Sequence, residues 1–145
     1  MYPKIKYLLI AIFAVSLAGC VSWAAEGVKT SNDQWDVTMK IAKGAKHVEK
    51  GKQVFYAKEG RMLVEVFATV KNVSSQAQIF SPGSIMMLTN SGKHRSALPS
   101  PRGIKIKPGE SKLFVPVFHI KQTDQPMAIV IEGVGTAQLP PGGQY

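Results

Sequence analysis

"RMLVEVFATVKN", residues Arg61 to Asn72, decides the fold. Met62, Val64, Val66, Ala68 and Val70 fall on one side of a period-two alternation, and Leu63, Glu65, Phe67, Thr69 and Lys71 fall on the other. Successive side chains of an extended chain point to opposite faces, so the first set makes an unbroken apolar face and the second a face of mixed character. β-branched and aromatic residues suit that pleated surface, and VSSQ after Asn72 is compatible with a turn. This is a long strand with at least one face in a core.

Shorter copies of the pattern flank it. Trp35, Val37, Met39 and Ile41 alternate with Asp36, Thr38 and Lys40, which predicts a strand. Residues 42–60, AKGAKHVEKGKQVFYAKEG, are rich in lysine and glycine, with Val54, Phe55 and Tyr56 as the only apolar cluster. They predict a long excursion holding one short strand. Downstream, residues 76–80 predict a strand stopped by Ser81, Pro82 and Gly83; Ile85 to Thr89 follows, and Asn90, Ser91 and Gly92 turn into HRSAL.

Pro99 and Pro101 interrupt the next stretch, and Ile104 and Ile106 begin a short strand ended by Pro108 and Gly109. In SKLFVPVFHI, residues 111–120, Leu113, Val115 and Val117 alternate with Phe114, Pro116, Phe118 and Ile120. Pro116 has no N–H, which predicts an edge strand or a bulge. The last predicted strand runs from Met127, read as core, to Glu132, with PPGGQY as a tail. Six to eight short strands and no amphipathic helix after the first 20 residues predict an all-β fold, an antiparallel β-sandwich in preference to a barrel. A chain of 145 residues is one domain, and no repeat or low-complexity segment is visible.

The start of the chain follows other rules. MYPKIKY carries two lysines, LLIAIFAVSLA is apolar or small, and Ala18 and Gly19 precede Cys20, the only cysteine. This is the order of an export signal, and its apolar run is shorter than the roughly 20 residues of a membrane span. Leu17, Ala18, Gly19 and Cys20 resemble the bacterial lipobox. The resemblance implies that residues 1–19 are a signal peptide cut before Cys20, whose sulfur is diacylated, so that a covalent lipid anchors the mature chain. Two or three acyl chains hold a small domain at a bilayer at about 0.8 kcal/mol per buried methylene. A thioether sulfur is no nucleophile; the competing readings are a buried structural cysteine or an uncleaved signal anchor.

Val21, and not Asp, follows the cysteine, which by resemblance to enteric sorting signals implies the outer membrane, facing the periplasm, in a double-membraned cell. Residues 20–32 read as a lipidated tether, residues 33–139 as the sandwich and residues 140–145 as the tail. Trp23 has two readings, an indole at the headgroup level or a ring packed back on the domain.

Between Gly60 and Gly133 the order "VKNVSSQAQIFSP", "MMLTNSGKHR", "IKPGESKLFVPVFHI", "QPMAIVIEG" is similar to the immunoglobulin-like domain of many bacterial lipoproteins and secreted proteins, a domain-of-unknown-function family grouped with the immunoprotective extracellular protein fold. The resemblance rests on Asn72, Ser81 to Pro82, Gly92, Pro108 to Gly109 and the last apolar strand. It implies an immunoglobulin-like sandwich outside the cytoplasm and no shared catalytic residues.

The chemistry-bearing residues are sparse. His47, His94 and His119 lie in different segments, and Ser81, Ser84, Ser96 and Ser111 lack a nucleophile-elbow setting. The nine carboxylates form no D-x-D or E-x-x-E pair, and no loop resembles a phosphate cradle, so an enzyme is not expected. No cofactor is expected beyond the lipid on Cys20. His94, His119 and Met127 form an alternative soft-metal set of the kind copper carriers use, whereas the adjacent Met86 and Met87 point to opposite faces.

Lys and Arg number 18 against nine Asp and Glu, and loss of Lys4 and Lys6 with the signal takes the net charge from +9 to +7. Outside the cytoplasm this excess favours lipid headgroups or anionic envelope polymers over nucleic acid. The basic residues form two groups: Lys40, Lys43, Lys46, Lys50, Lys52, Lys58 and Arg61, then Lys93, Arg95, Arg102, Lys105 and Lys107. The second group is a candidate anionic-ligand patch; against it stands the use of lysine to blunt strand edges. The function expected is a membrane-anchored binding or scaffolding module for an envelope protein or an anionic envelope polymer, with a periplasmic copper carrier as the alternative.

Overall fold

A computed structural model describes residues 22–141 and 145. The signal segment, Cys20 and Val21 lie outside the described residues. The strands are β1 (Trp23–Ser31), β2 (Trp35–Ala42), β3 (His47–Lys50), β4 (Gln53–Tyr56), β5 (Arg61–Asn72), β6 (Gln78–Phe80), β7 (Ile85–Thr89), β8 (Gly92–His94), β9 (Ile104–Ile106), β10 (Ser111–Phe114), β11 (Val117–Lys121), β12 (Pro126–Ile131) and β13 (Gly135–Gln138). One 3-10 turn, Pro82–Ser84, precedes β7.

One sheet runs β1-β2-β5-β10, with β11 also on β5, and a second runs β13-β12-β7-β8; every pairing is antiparallel. Two ladders, β3-β4 and β6-β9, complete the molecule. The chain is an all-β antiparallel sandwich, as its alternating pattern predicts. Met62, Val64, Val66, Ala68 and Val70 of β5 are all buried, and they meet Met39 and Ile41 of β2, Phe118 and Ile120 of β11, Met87 of β7 and Ile129 of β12 in one core.

The other face of β5 is covered unevenly. Residues 42–60 do not hold a single short strand: β3 and β4 form a hairpin with a two-residue connection, Gly51–Lys52, and φ is +61° at Gly51. A positive φ at the first central residue alone is the pattern of a type II′ turn, which glycine adopts without strain. Val48 of the hairpin packs with Leu63 and Val117 in a small second core, with Phe55 and Leu98 against it. Glu65 meets Lys50 in an ion pair, and Trp23 sets its ring edge-on to Phe67 at 5.2 Å. Beyond Phe67, Thr69 and Lys71 are exposed.

Three further expectations are corrected, and of the two readings of Pro116 the edge holds and the bulge does not. The stretch read as a tether is β1, paired with β2 from Trp23↔Ala42 to Ser31↔Asp36, and the Trp23 ring packs on the domain. Pro116 makes no bulge: Phe114 pairs with Ala68 and Val117 with Glu65, so β10 and β11 are one line in one register. Val66 still donates to the Pro116 carbonyl at 3.1 Å, and Pro116 has no N–H to give back. Met127 is not core but 46% exposed: the β12–β7 register shifts between Pro126 and Ala128 and leaves it without a partner on β7. A strand beyond Glu132, β13, closes the second sheet, and Tyr145 of the expected tail packs against the core.

At the far end of β5, Asn72 is fully buried. Its Nδ2 donates to the carbonyls of Gln76 and Ile106, each at 2.8 Å, and its Oδ1 accepts from the N–H and hydroxyl of Ser74 at 2.9 and 2.7 Å. The amide thus uses all its capacity and ties β9 and the 74–76 turn to the main sheet.

Candidate functional site

Hydrogen-bonding direction along β10 follows from the pair alternation of an antiparallel ladder. Val66 N–H reaches Pro116 and Asn72 N–H reaches Glu110, so even-numbered residues between 110 and 116 turn their backbone groups toward β5. Odd-numbered residues turn theirs away. Val117 obeys this, since its outward carbonyl accepts from Ala97 N–H at 2.7 Å and its outward N–H donates to Ser96 Oγ at 3.2 Å. Among the described residues no strand pairs with the outer side of β10. The N–H and C=O of Ser111, Leu113 and Val115 therefore form a free edge, and the Leu113 side chain above it is 59% exposed.

A groove of about 430 Å³ adjoins this edge. Its walls include Phe55 of β4, Leu98, Pro99 and Pro101 of the β8–β9 link, and Phe114 and Pro116 at the β10–β11 joint. Apolar walls with few polar groups, in a volume of several hundred Å³, are the usual make-up of a binding cleft. Lys50 on the wall is already paired with Glu65. Lys52 beside Gln53 and Arg102 beside Pro101 have no carboxylate partner among the described residues.

The predicted anionic patch is divided between ladders. Lys93 lies on β8 and Arg95 just after it, whereas Lys105 lies on β9, between Arg102 and Lys107. Arg95 is 3.7 Å from Glu132, which reduces its share of free charge.

His94, His119 and Met127 sit on β8, β11 and β12. His94 pairs with the core residue Met87 and so lies on the inner side of its sheet, its Nε2 2.9 Å from Thr89 Oγ1. His119 alternates with the core residues Phe118 and Ile120 and so faces out; its Nε2 accepts from Lys58 N–H at 3.1 Å, which puts the ring proton on Nδ1. Burial first, then the positive charges of Arg61 and Lys58, hold this imidazole below its ordinary pKa. Among the described residues no three His, Cys, Asp or Glu side chains stand together as a metal site would need.

One polar chain has no sequence signal. The Asp124 carboxylate, buried, accepts from Ser91 Oγ at 2.9 Å and from Lys121 N–H at 3.0 Å, while Thr89 Oγ1 lies 3.1 Å from Ser91 Oγ and 2.9 Å from His94. Two hydroxyls separate acid from imidazole, the reverse of a triad, in which the imidazole stands between acid and nucleophile. The chain fastens the β7–β8 turn to the β11–β12 turn.

No family model matches the chain, and no curated protein matches it. Two solved structures resemble it. A conserved hypothetical protein from Bacillus anthracis superposes with a TM-score of 0.58 at 17% identity over 79% of this chain and 94% of its own. An uncharacterized β-sandwich protein from Clostridium difficile does so with a TM-score of 0.47 at 14% identity over 81% and 93%. At such identities the likeness is one of fold.

Proposed function

We propose that the chain is a lipid-anchored binding module of the bacterial cell envelope that takes up an extended segment of another envelope protein. The observation that carries this reading is the free edge Ser111–Val115 beside the apolar groove. An added strand finds main-chain partners on the edge and a pocket for alternate side chains, which is how sheets bind peptides. Lys52 and Arg102, each one residue along the chain from a wall of the groove and without an ion pair among the described residues, favour a segment with a carboxylate next to its apolar residues. Apolar walls favour a protein over a charged polymer. The lipobox at Leu17 to Cys20 supplies the anchor in this reading.

Leu113→Pro is the direct test. It removes an outward N–H while leaving the bonds from Lys112 and Phe114 to β5 in place, a position at which a strand tolerates proline. In-cell crosslinking of the full chain followed by mass spectrometry should recover a discrete envelope protein, at least about tenfold depleted by L113P. Recovery of bulk lipid alone, or of the same partner undiminished by the variant, contradicts the proposal.

A further inference from the structure

The end of the sandwich at which β1 begins gathers positive charge from segments far apart in sequence. Ser22, two residues beyond Cys20, accepts through its carbonyl from Lys43 N–H at 3.0 Å. Two residues of chain give a reach of about 8 Å, so an acyl-cysteine at position 20 is held to this end. Arg61 opens β5 here and pairs across from Lys121, the last residue of β11. Lys46 Nζ lies 3.4 Å from the Arg61 carbonyl, and Lys58 meets His119 through its N–H.

Lys43, Lys46, Lys58 and Lys121 are exposed and Arg61 half-buried, and none of the five has a carboxylate within ion-pair distance among the described residues. Of the acids nearby, Glu59 is exposed in the turn before Arg61, and Asp124 is engaged with Ser91 and the Lys121 N–H. Burial first, and then the charges of Arg61 and Lys58, lower the pKa of His119, so two of these cations act on the same imidazole. The opposite end carries acids among its bases: Asp36 sits across from Lys71, Glu110 pairs with Lys112, and Glu132 pairs with Arg95. At about 3.3 Å per residue, the length of β5 puts that end about 36 Å away, several times the roughly 8 Å over which exposed charges act in physiological salt.

We propose that the end formed by Lys43, Lys46, Lys58, Arg61 and Lys121 is a seat for anionic phospholipid headgroups, on which the domain stands with its strands directed away from the bilayer. This rests on the reading of Cys20 as the acylated anchor. Only Val21 and Ser22 separate Cys20 from β1, too short a link to hold these charges far from the surface. Leu113, across from Thr69, then lies about 26 Å further along β5 than Arg61, so the seat presents the binding edge to the envelope space and not to lipid.

The test uses the full chain purified from membranes, weighed intact, and placed in nanodiscs of phosphatidylcholine alone or with 30% phosphatidylglycerol (about one lipid in three, enough for a sizeable surface potential). Amine labelling is read lysine by lysine. In anionic discs, labelling of Lys43, Lys46, Lys58 and Lys121 should slow about fivefold or more relative to neutral discs, since each cation at an anionic surface contributes about fivefold in binding. Lys71 and Lys107 should label equally in both. The variant carrying Lys46→Gln, Lys58→Gln and Lys121→Gln should lose the slowing at Lys43 while keeping the parent pattern at Lys71 and Lys107, which shows that it is folded.

Equal labelling of the four lysines in both discs overturns the seat. Equal protection by inorganic phosphate in neutral discs overturns it too, and assigns the cluster to anions in general. An intact mass without acyl groups defeats the anchor reading separately; slowed labelling in anionic discs would then still support the seat.

Discussion

The two faces of β5 use the same twelve residues and are closed in different ways. The inner face is entirely apolar to Val70 and is sealed by both sheets, with Val64, Val66, Ala68 and Val70 at zero exposure. The outer face is covered only as far as Phe67, by the β3–β4 hairpin, one ion pair and the Trp23 ring, and beyond that point it opens. The inner face holds the fold. At the open side of β10 the two faces meet: Phe55 of the hairpin and Phe114 and Pro116 of the inner side line the groove beside the free edge.

Equivalent truncations on the two faces should therefore differ. Ile120→Ala removes a fully buried aliphatic side chain from the inner core and should cost about 4 kcal/mol; Leu63→Ala, the same loss of carbon under a hairpin able to settle inward, should cost nearer about 2 kcal/mol. Urea unfolding of both variants reads the gap, and equal losses would mean that the hairpin is as rigid as the core. Asn72→Ala lies between them. It leaves the Ile106 carbonyl without its side-chain donor and the Ser74 N–H without its acceptor, the Gln76 carbonyl keeping the Ser74 hydroxyl, and should cost about 2–3 kcal/mol, with early loss of amide protection in β6 and β9.

His119 supplies the smallest effect, on the outer side. Its folded pKa is lowered, so below about pH 6.5 the unfolded chain binds a proton there that the folded chain does not. Stability from this group is complete above about pH 6.5 and declines as pH falls toward the lowered folded value. Thermal melts of His119→Gln against the parent should diverge most at pH 7.5 and converge below pH 6; a constant difference would remove the linkage.

The inner face was legible because period-two alternation survives wherever one side is buried without a shift of register, as in β2 and β5. β1 was not, since its buried Ala25 and Val28 are three residues apart and its register shifts twice, which erases the alternation. β3 and β13 each bury one apolar residue, Val48 and Ala137, too few to show a period. Pro116 pointed rightly to an edge at β10, but the unbroken register shows only in three dimensions. The basic residues were countable in sequence, and their grouping was not. Lys121 joins Arg61 across a ladder 60 residues long in chain separation, while Lys93 and Lys105, grouped by sequence, belong to different ladders.

The central claim is that β10 presents an open edge, and amide hydrogen exchange of the full chain reads it residue by residue. Leu113 and Val115 should exchange close to unprotected rates, while Lys112 and Phe114, bonded to Val70 and Ala68, should be slowed at least about a hundredfold. Protection of all four amides in the isolated protein would mean that the edge is already occupied, and would contradict the account.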